Sequence, residues 1–288
     1  MTLRHLKIFL CVCKEKNMTL SAEKLYMTQP SVSQAIVELE KHYETKLFER
    51  LGKKLYITEA GKKLMAYASH MINLHEEMEK SMLELHQNSV LRIGASVTVG
   101  TCVLPDIIKS FKQQYGGTVN VIVDNTTIIE NMILKDEIDL ALVEGNIHNK
   151  DIVVKPFMED ELILVCSKAH VFSSRKSIKL EELEDEAFIL REKGSGTREL
   201  FESVLTANNI TFNKVWECNN TEAIKNAVER DLGISVISKR FVEKEIGEGI
   251  LHSINIKSVN FKRNFKIVYH KNKFISNSMD KFINSVLK

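Results

Sequence analysis

Residues 19–58 read TLSAEKLYMTQPSVSQAIVELEKHYETKLFERLGKKLYIT, and the architecture of the N-terminal end is decided there. Thr28 is a good helix N-cap, and Gln29 and Pro30 follow in the first turn, where a missing proline N–H breaks no intrahelical bond. Val32, Ile36, Leu39 and Tyr43 recur at spacings of 4, 3 and 4, which predicts one buried face. The opposite face carries Pro30, Ser31, Gln34 and Lys41, with Ser33 and Val37 at its flanks. Small hydroxyls and an amide near the start of an exposed helix suit the reading of base edges in a DNA groove. Gln can bond adenine at two points, Ser can bond several edges, and Val37 could touch a thymine methyl. The preceding helix, near Leu20–Leu25, is expected to pack through Ala22 and Leu25, and the first helix through Leu3, Leu6, Leu10 and Cys13.

Leu47-Phe48-Glu49-Arg50, then Leu51-Gly52-Lys53-Lys54, then Leu55-Tyr56-Ile57-Thr58 form two short apolar runs around a Gly- and Lys-containing turn. That pattern reads as a wing. Arg50, Lys53 and Lys54 would meet phosphates or the minor groove. Charge alone does not carry this reading: residues 1–59 hold ten Lys/Arg against seven Asp/Glu. A solvated three-helix cap is the structural alternative, and the order of the elements weighs against it.

From Glu59 to about Gln87 there is no proline and no glycine after Gly61. Leu64, Ala68, Met71, His75, Met78, Met82 and Leu85 alternate at spacings of 4 and 3, a heptad seam. A helix so long, and charged on its other faces, is expected to pair with a second copy rather than serve as a core helix. A two-fold pair would set two reading heads on two half-sites.

From Leu91 strands and helices alternate, which implies an α/β sheet with ligands at strand C-terminal ends. Two segments carry ligand-binding chemistry. One is Gly94–Thr101, with Ser96, Val97, Thr98, Gly100 and Thr101; the other is Arg191–Arg198, with Gly194, Ser195, Gly196, Thr197 and Arg198. Each leads into a helix start, where glycines let backbone N–H groups approach a ligand and the helix end favours negative charge. The step Glu144-Gly145, Asn125-Thr126-Thr127 and Asn219-Asn220-Thr221 also follow strands and join the set, Gly145, Asn220 and Thr221 among the expected contacts. Ordinary N-capping by Ser96, Thr98, Ser195 and Thr197 is the alternative. If the starts converge on one cleft, a small anion is the natural ligand.

Other classes are disfavoured. The 288 residues are 44% hydrophobic and 27% charged, with a net charge of +2. No run of eighteen apolar residues suggests a membrane span. The start Met1-Thr-Leu-Arg-His-Leu-Lys lacks a secretory h-region, so a cytoplasmic location is expected. Cysteines 11, 13, 102, 166 and 218 are scattered, as reduced thiols would be, and a redox role for Cys102 stays open. The nine histidines show no metal-ligand spacing. Neither glycine segment is a phosphate-binding Walker loop or a nucleophile elbow, so an enzyme, a metal and a cofactor are not expected.

The run from Ala22 to Gly61 resembles the LysR-type transcriptional regulators. It carries Leu25, Thr28-Gln29-Pro30-Ser31-Val32-Ser33, Ile36, Leu39-Glu40, Leu47-Phe48-Glu49-Arg50 and Thr58-Glu59-Ala60-Gly61, ungapped. Gln34-Ala35 departs from it, since many members carry a basic residue just before Ile36. The resemblance covers essentially the whole chain. It implies a winged helix-turn-helix over 1–58, a linker helix over 59–89, and an effector domain over 90–288 with the two-lobed α/β fold of periplasmic solute-binding proteins. Lobe I would span about 90–162 and 267–288, and lobe II about 163–266. Promoter DNA, a small effector, and a dimer assembling into a tetramer are implied as partners. Leu190–Arg198, Asn220–Val228 and Gly233–Ile237 look most like the subgroup that activates sulfite reductase genes, which implies a sulfite-like oxyanion. A ligand-independent DNA-binding regulator and a solute-binding protein are the rival readings.

Overall fold

A computed structural model describes residues 1–51, 54–83, 90–257 and 259–287. The chain forms two compact units: Met1–Asn88 with the loops Leu134–Glu137 and Asn272–Phe274, and the remainder.

The first unit begins with α1 (Leu3–Glu15), α2 (Met18–Lys24) and α3 (Gln29–His42). The antiparallel hairpin β1 (Phe48–Leu51) and β2 (Lys54–Ile57) follows, then α4 (Glu59–Leu83). Asn17 and Thr28 start α2 and α3 by accepting backbone N–H bonds, Asn17 Oδ1 from Thr19 N at 2.9 Å and Thr28 Oγ1 from Ser31 N at 3.4 Å, which satisfies donors that a helix start leaves over. The core gathers Leu6, Phe9, Val12, Ala22, Val32, Ile36, Leu39, Leu47 and Phe48, with the Phe9 and Phe48 rings 5.4 Å apart. Each of these side chains larger than Ala22 contributes roughly 1.5–3 kcal/mol by leaving water.

Two expectations are corrected here. Tyr43 caps the end of α3 and is 39% exposed rather than buried, because the helix ends before the apolar face reaches it. The fully buried face of α1 is Leu6, Ile8, Phe9 and Val12, with Leu3, Leu10 and Cys13 only partly buried at its edge. On α4, Ala68 and Ile72 close onto this core, while Tyr67, Met71, Leu74 and Met78 form an exposed apolar stripe. The side chain of Met82 and all of Leu85 lie outside the described residues. In the same unit Lys273 Nζ pairs with Asp136 Oδ1 at 2.9 Å, and Asn73 Nδ2 donates to the Asp136 carbonyl at 3.0 Å.

The second unit opens with β3 (Leu91–Ser96), α5 (Val97–Cys102), α6 (Leu104–Tyr115), β4 (Val119–Asp124), α7 (Thr126–Leu134) and β5 (Leu140–Val143). It continues through β6 (Ile152–Ser167), β7 (Ser177–Ile178), β8 (Ala187–Arg191), α8 (Gly196–Ala207), β9 (Asn213–Cys218) and α9 (Thr221–Glu229). It ends with β10 (Ser235–Ser238), α10 (Lys239–Gly247), β11 (Leu251–Ile256), β12 (Lys262–His270) and α11 (Asn277–Val286). Strands β3, β4 and β5 are parallel, and β12 runs antiparallel to β5 and β6.

Strand β6 joins two lobes. Its first part, Ile152–Glu161, pairs with β12; its last part, Leu162–Ser167, pairs with β10 and β11. The pattern of Glu161–Cys166 suggests a separate strand, yet the backbone is continuous over 16 residues. Pro156 sits where the pairing with β12 slips between Phe265 and Lys266, a place where a missing ladder donor is tolerated. Lobe I packs around Ile93, Leu104, Phe111, Phe265 and Phe282; lobe II packs around Leu164, Phe188, Phe201 and Val236, with a second cluster at Val165, Ile224 and Val228.

Candidate functional site

Helix α3 turns its apolar residues inward and leaves Pro30, Ser31, Gln34, Val37 and Lys41 exposed, with Gln29 and Ser33 half-buried beside them. Thr28 Oγ1 and Ser31 Oγ lie 2.8 Å apart and fix the first turn. Gln34 Nε2 donates to Glu38 Oε1 at 3.0 Å, one turn on, which holds the amide extended along the outer face. Arg50 is exposed on β1. Lys53 and the side chain of Lys54 lie outside the described residues.

In the second unit the predicted segments meet between the two lobes. Ser96 ends β3, and its hydroxyl accepts from Glu144 N at 3.0 Å instead of capping α5. Ser195 stands at the N-cap of α8 and makes no capping bond either. The capping alternative therefore fails for both serines. Thr98 Oγ1 donates to Glu144 Oε1 at 3.1 Å. At the step 144–145 the acid is Glu144, and Gly145 supplies only backbone. A Cβ on Gly196 would stand 2.6 Å from Gly145 N, so the two lobes touch through glycine backbones. Thr127 N also donates to Gly194 O across the lobes, at 3.2 Å.

The cation at the centre of this cleft is one the sequence reading missed. Arg263, on β12, donates from Nη1 to Thr197 Oγ1 at 3.0 Å and from Nη2 to Thr98 Oγ1 at 3.5 Å. Its Nε donates to Asp160 Oδ2 at 2.7 Å, and Asp160 also accepts from Ser238 Oγ at 2.7 Å. One guanidinium thus bridges a hydroxyl from each lobe. Lys266, also on β12, donates to Gly145 O at 3.1 Å, and burial holds its ammonium below the ordinary lysine pKa, partly offset by Glu199.

Arg198 does not serve as expected. Its guanidinium is buried and committed to Glu202 at 2.6 Å, Glu217 at 2.7 Å and the Arg191 carbonyl at 3.2 Å. Asn220 caps α9, accepting from Glu222 N and Ala223 N. Gly100 lets α5 pack on Val123, Val97 is half-buried, and Thr101 is exposed. A cavity of about 10 Å³ remains, lined by Thr98, Arg191, Thr197, Thr221 and Ser238. Four buried oxygens on or beside this cleft lack a hydrogen-bond partner: Thr126 Oγ1, Ser195 Oγ, Thr221 Oγ1 and Glu144 Oε2. Buried polar groups are rarely left so, and a cluster of them suits a bound polar ligand.

Burial pushes the Cys102 thiol up to about 11 and the Cys13 thiol up to about 12, the opposite of an activated thiolate. Among the described residues no group of His, Cys, Asp and Glu could hold a metal ion, and no helix is long and apolar enough to cross a membrane.

A winged helical head followed by a two-lobed α/β module with a polar cleft defines a ligand-responsive DNA-binding class. Residues 3–62 match the model of the bacterial regulatory helix-turn-helix protein, lysR family, and residues 86–288 match the LysR substrate binding domain. The chain belongs to the LysR family of DNA-binding transcriptional regulators. It is 32% identical over 281 residues to the HTH-type transcriptional regulator CysL of Bacillus subtilis, covering 96% of this chain and 93% of CysL. The regulatory domain of Synechocystis CcmR, in complex with 2-PG, superposes with a TM-score of 0.64 at 28% identity, covering 69% of this chain and 95% of that one. Full-length OxyR of Pseudomonas aeruginosa shares the fold, with a TM-score of 0.70 at 19% identity over 99% of this chain and 94% of that one.

Proposed function

We propose that this regulator binds promoter DNA through α3 and the wing, and that a small anion in the cleft between the lobes controls that binding. Thr28, Gln29, Ser31, Ser33, Gln34 and Val37 would face the major groove, and Arg50, Lys53 and Lys54 the backbone. Arg263 carries the effector reading: its guanidinium reaches Thr98 and Thr197 from opposite lobes. An oxyanion arriving there would take over donors now turned on Asp160 and the two hydroxyls. Sulfite-like oxyanions lead the candidates, on the resemblance of Leu190–Arg198, Asn220–Val228 and Gly233–Ile237 to the subgroup that activates sulfite reductase genes; the similar regulatory domain of CcmR was solved in complex with 2-PG. A dimer through the α4 stripe, a tetramer of two such dimers, and a cytoplasmic setting complete the proposal.

The test is a titration of the full chain with sulfite, sulfate, phosphate and acetate, followed by melting temperature and by Trp216 fluorescence. Trp216 is the only tryptophan and lies half-exposed on β9. A saturable shift that weakens at least about tenfold in Arg263→Ala, as loss of a charge-assisted contact requires, is expected. A shift unaffected by Arg263→Ala would move the effector elsewhere. A ligand-independent regulator is the second reading, favoured by the smallness of the cavity; it predicts no shift with any small acid.

A further inference from the structure

Glu144 is the unexplained group in the cleft. It is 3% exposed at the end of β5, and its backbone N–H is fixed by Ser96 Oγ. Its Oε1 accepts from Thr98 Oγ1 at 3.1 Å, and its Oε2 accepts from nothing. Arg263 Nη2 reaches the same Thr98 hydroxyl. A single hydroxyl therefore joins the guanidinium to a buried carboxyl group with one acceptor to spare. Three further orphans of the cleft, on Thr126, Ser195 and Thr221, are hydroxyls that can turn to donate or accept. Glu144, as a carboxylate, offers only acceptors to an oxyanion with oxygens on every side. A carboxylate oxygen beside such a ligand meets like charge and no proton.

We propose that the effector is a small anion that also bears a proton donor, a hydroxyl or an ammonium, and that Glu144 is the residue that reads this donor. This rests on the anion reading of the cleft. The anionic group takes Arg263 and Thr197, and the donor end takes Glu144 Oε2. Hydrogensulfite fits the description and sulfate does not. A site built to bond a substrate donor discriminates strongly against the analogue that lacks it, because its own buried acceptor is then left unpaired.

Four probes test the idea by isothermal titration of the full chain: acetate, glycolate, glycine and sulfate. Glycolate or glycine is expected to bind at least about tenfold tighter than acetate, with sulfate weakest. In Glu144→Ala that preference should collapse to near unity while acetate binds as well as before or better. Glu144→Gln keeps an acceptor of the same shape and guards against a misfolded Ala variant. It should spare a hydroxyl ligand and weaken an ammonium ligand, so it separates the two donor types. Equal binding of acetate, glycolate and glycine overturns the inference and leaves the anion reading intact. So does a preference that survives in both variants. Binding of none of the four, together with no shift by sulfite in the titration above, overturns both.

Discussion

Gly196 and Arg263 place opposite demands on the cleft, one of space and one of charge. The backbones at Gly145 and Gly196 approach so closely that an added methyl has nowhere to go. Gly196→Ala should therefore lower stability by about 1–3 kcal/mol, as overpacking does, and weaken effector binding by holding the lobes apart. Gly247→Ala is the control, since a Cβ there meets nothing within 4 Å. Thermal melts of the two variants decide the point; a Gly196→Ala protein melting with the wild type would show that the lobe contact is not held in solution. Single residues were unevenly legible in the sequence. Ser96, Thr98 and Thr197 stood out because glycines and several hydroxyls together at a helix start exceed what capping alone requires. Arg263 could not be seen, because it is one charged residue in an alternating strand, 66 positions from the Thr197 it bonds. Arg198 was misjudged for the converse reason: its place in the motif said nothing of Glu202 and Glu217, which bind it inside lobe II.

Among elements, α4 carries two apolar faces. Its 4–3 spacing is real, but the spacing alone does not say which apolar residues face the head and which face a partner. Leu64, Ala68 and Ile72 pack inward, whereas Tyr67, Met71, Leu74 and Met78 line the exposed side. Such a stripe on a long charged helix is what a paired helix buries. Introducing Met71→Glu together with Met78→Glu should separate the dimer. Each lost methionine removes about 1.5–3 kcal/mol of burial, so the dissociation constant should rise more than about a hundredfold. Light scattering across a dilution series reads this directly, with circular dichroism as the check on folding. A variant that stays dimeric would place the interface elsewhere. Elements with clean periodicity, such as α3, α6 and α9, were legible from the sequence. The hidden ones were α10, whose run KRFVEKEIG buries only Val242, and the continuous β6, whose polar first half masks its pairing with β12.

For the molecule as a whole, the alternation of strands and helices after Leu91 was enough to announce an α/β module, while the two lobes followed from the resemblance to the LysR-type regulators. What alternation could not convey is that the two lobes meet at glycine backbones and share the bridging cation Arg263. An effector can alter DNA binding only through different affinities for two arrangements of the chain, so the proposed control requires a second arrangement of the lobes in which Thr98 and Thr197 no longer share Arg263. Under the proposed function, α3 is the element that reads sequence. The most direct measurement selects duplexes from a random library with the full chain, then compares the wild type and Gln34→Ala on a selected and a scrambled duplex at fixed salt. Loss of about 1–3 kcal/mol on the selected duplex alone is expected if Gln34 makes a two-point base contact. Equal losses on both duplexes, or no sequence enriched at all, would contradict the assignment of α3 as the reading helix.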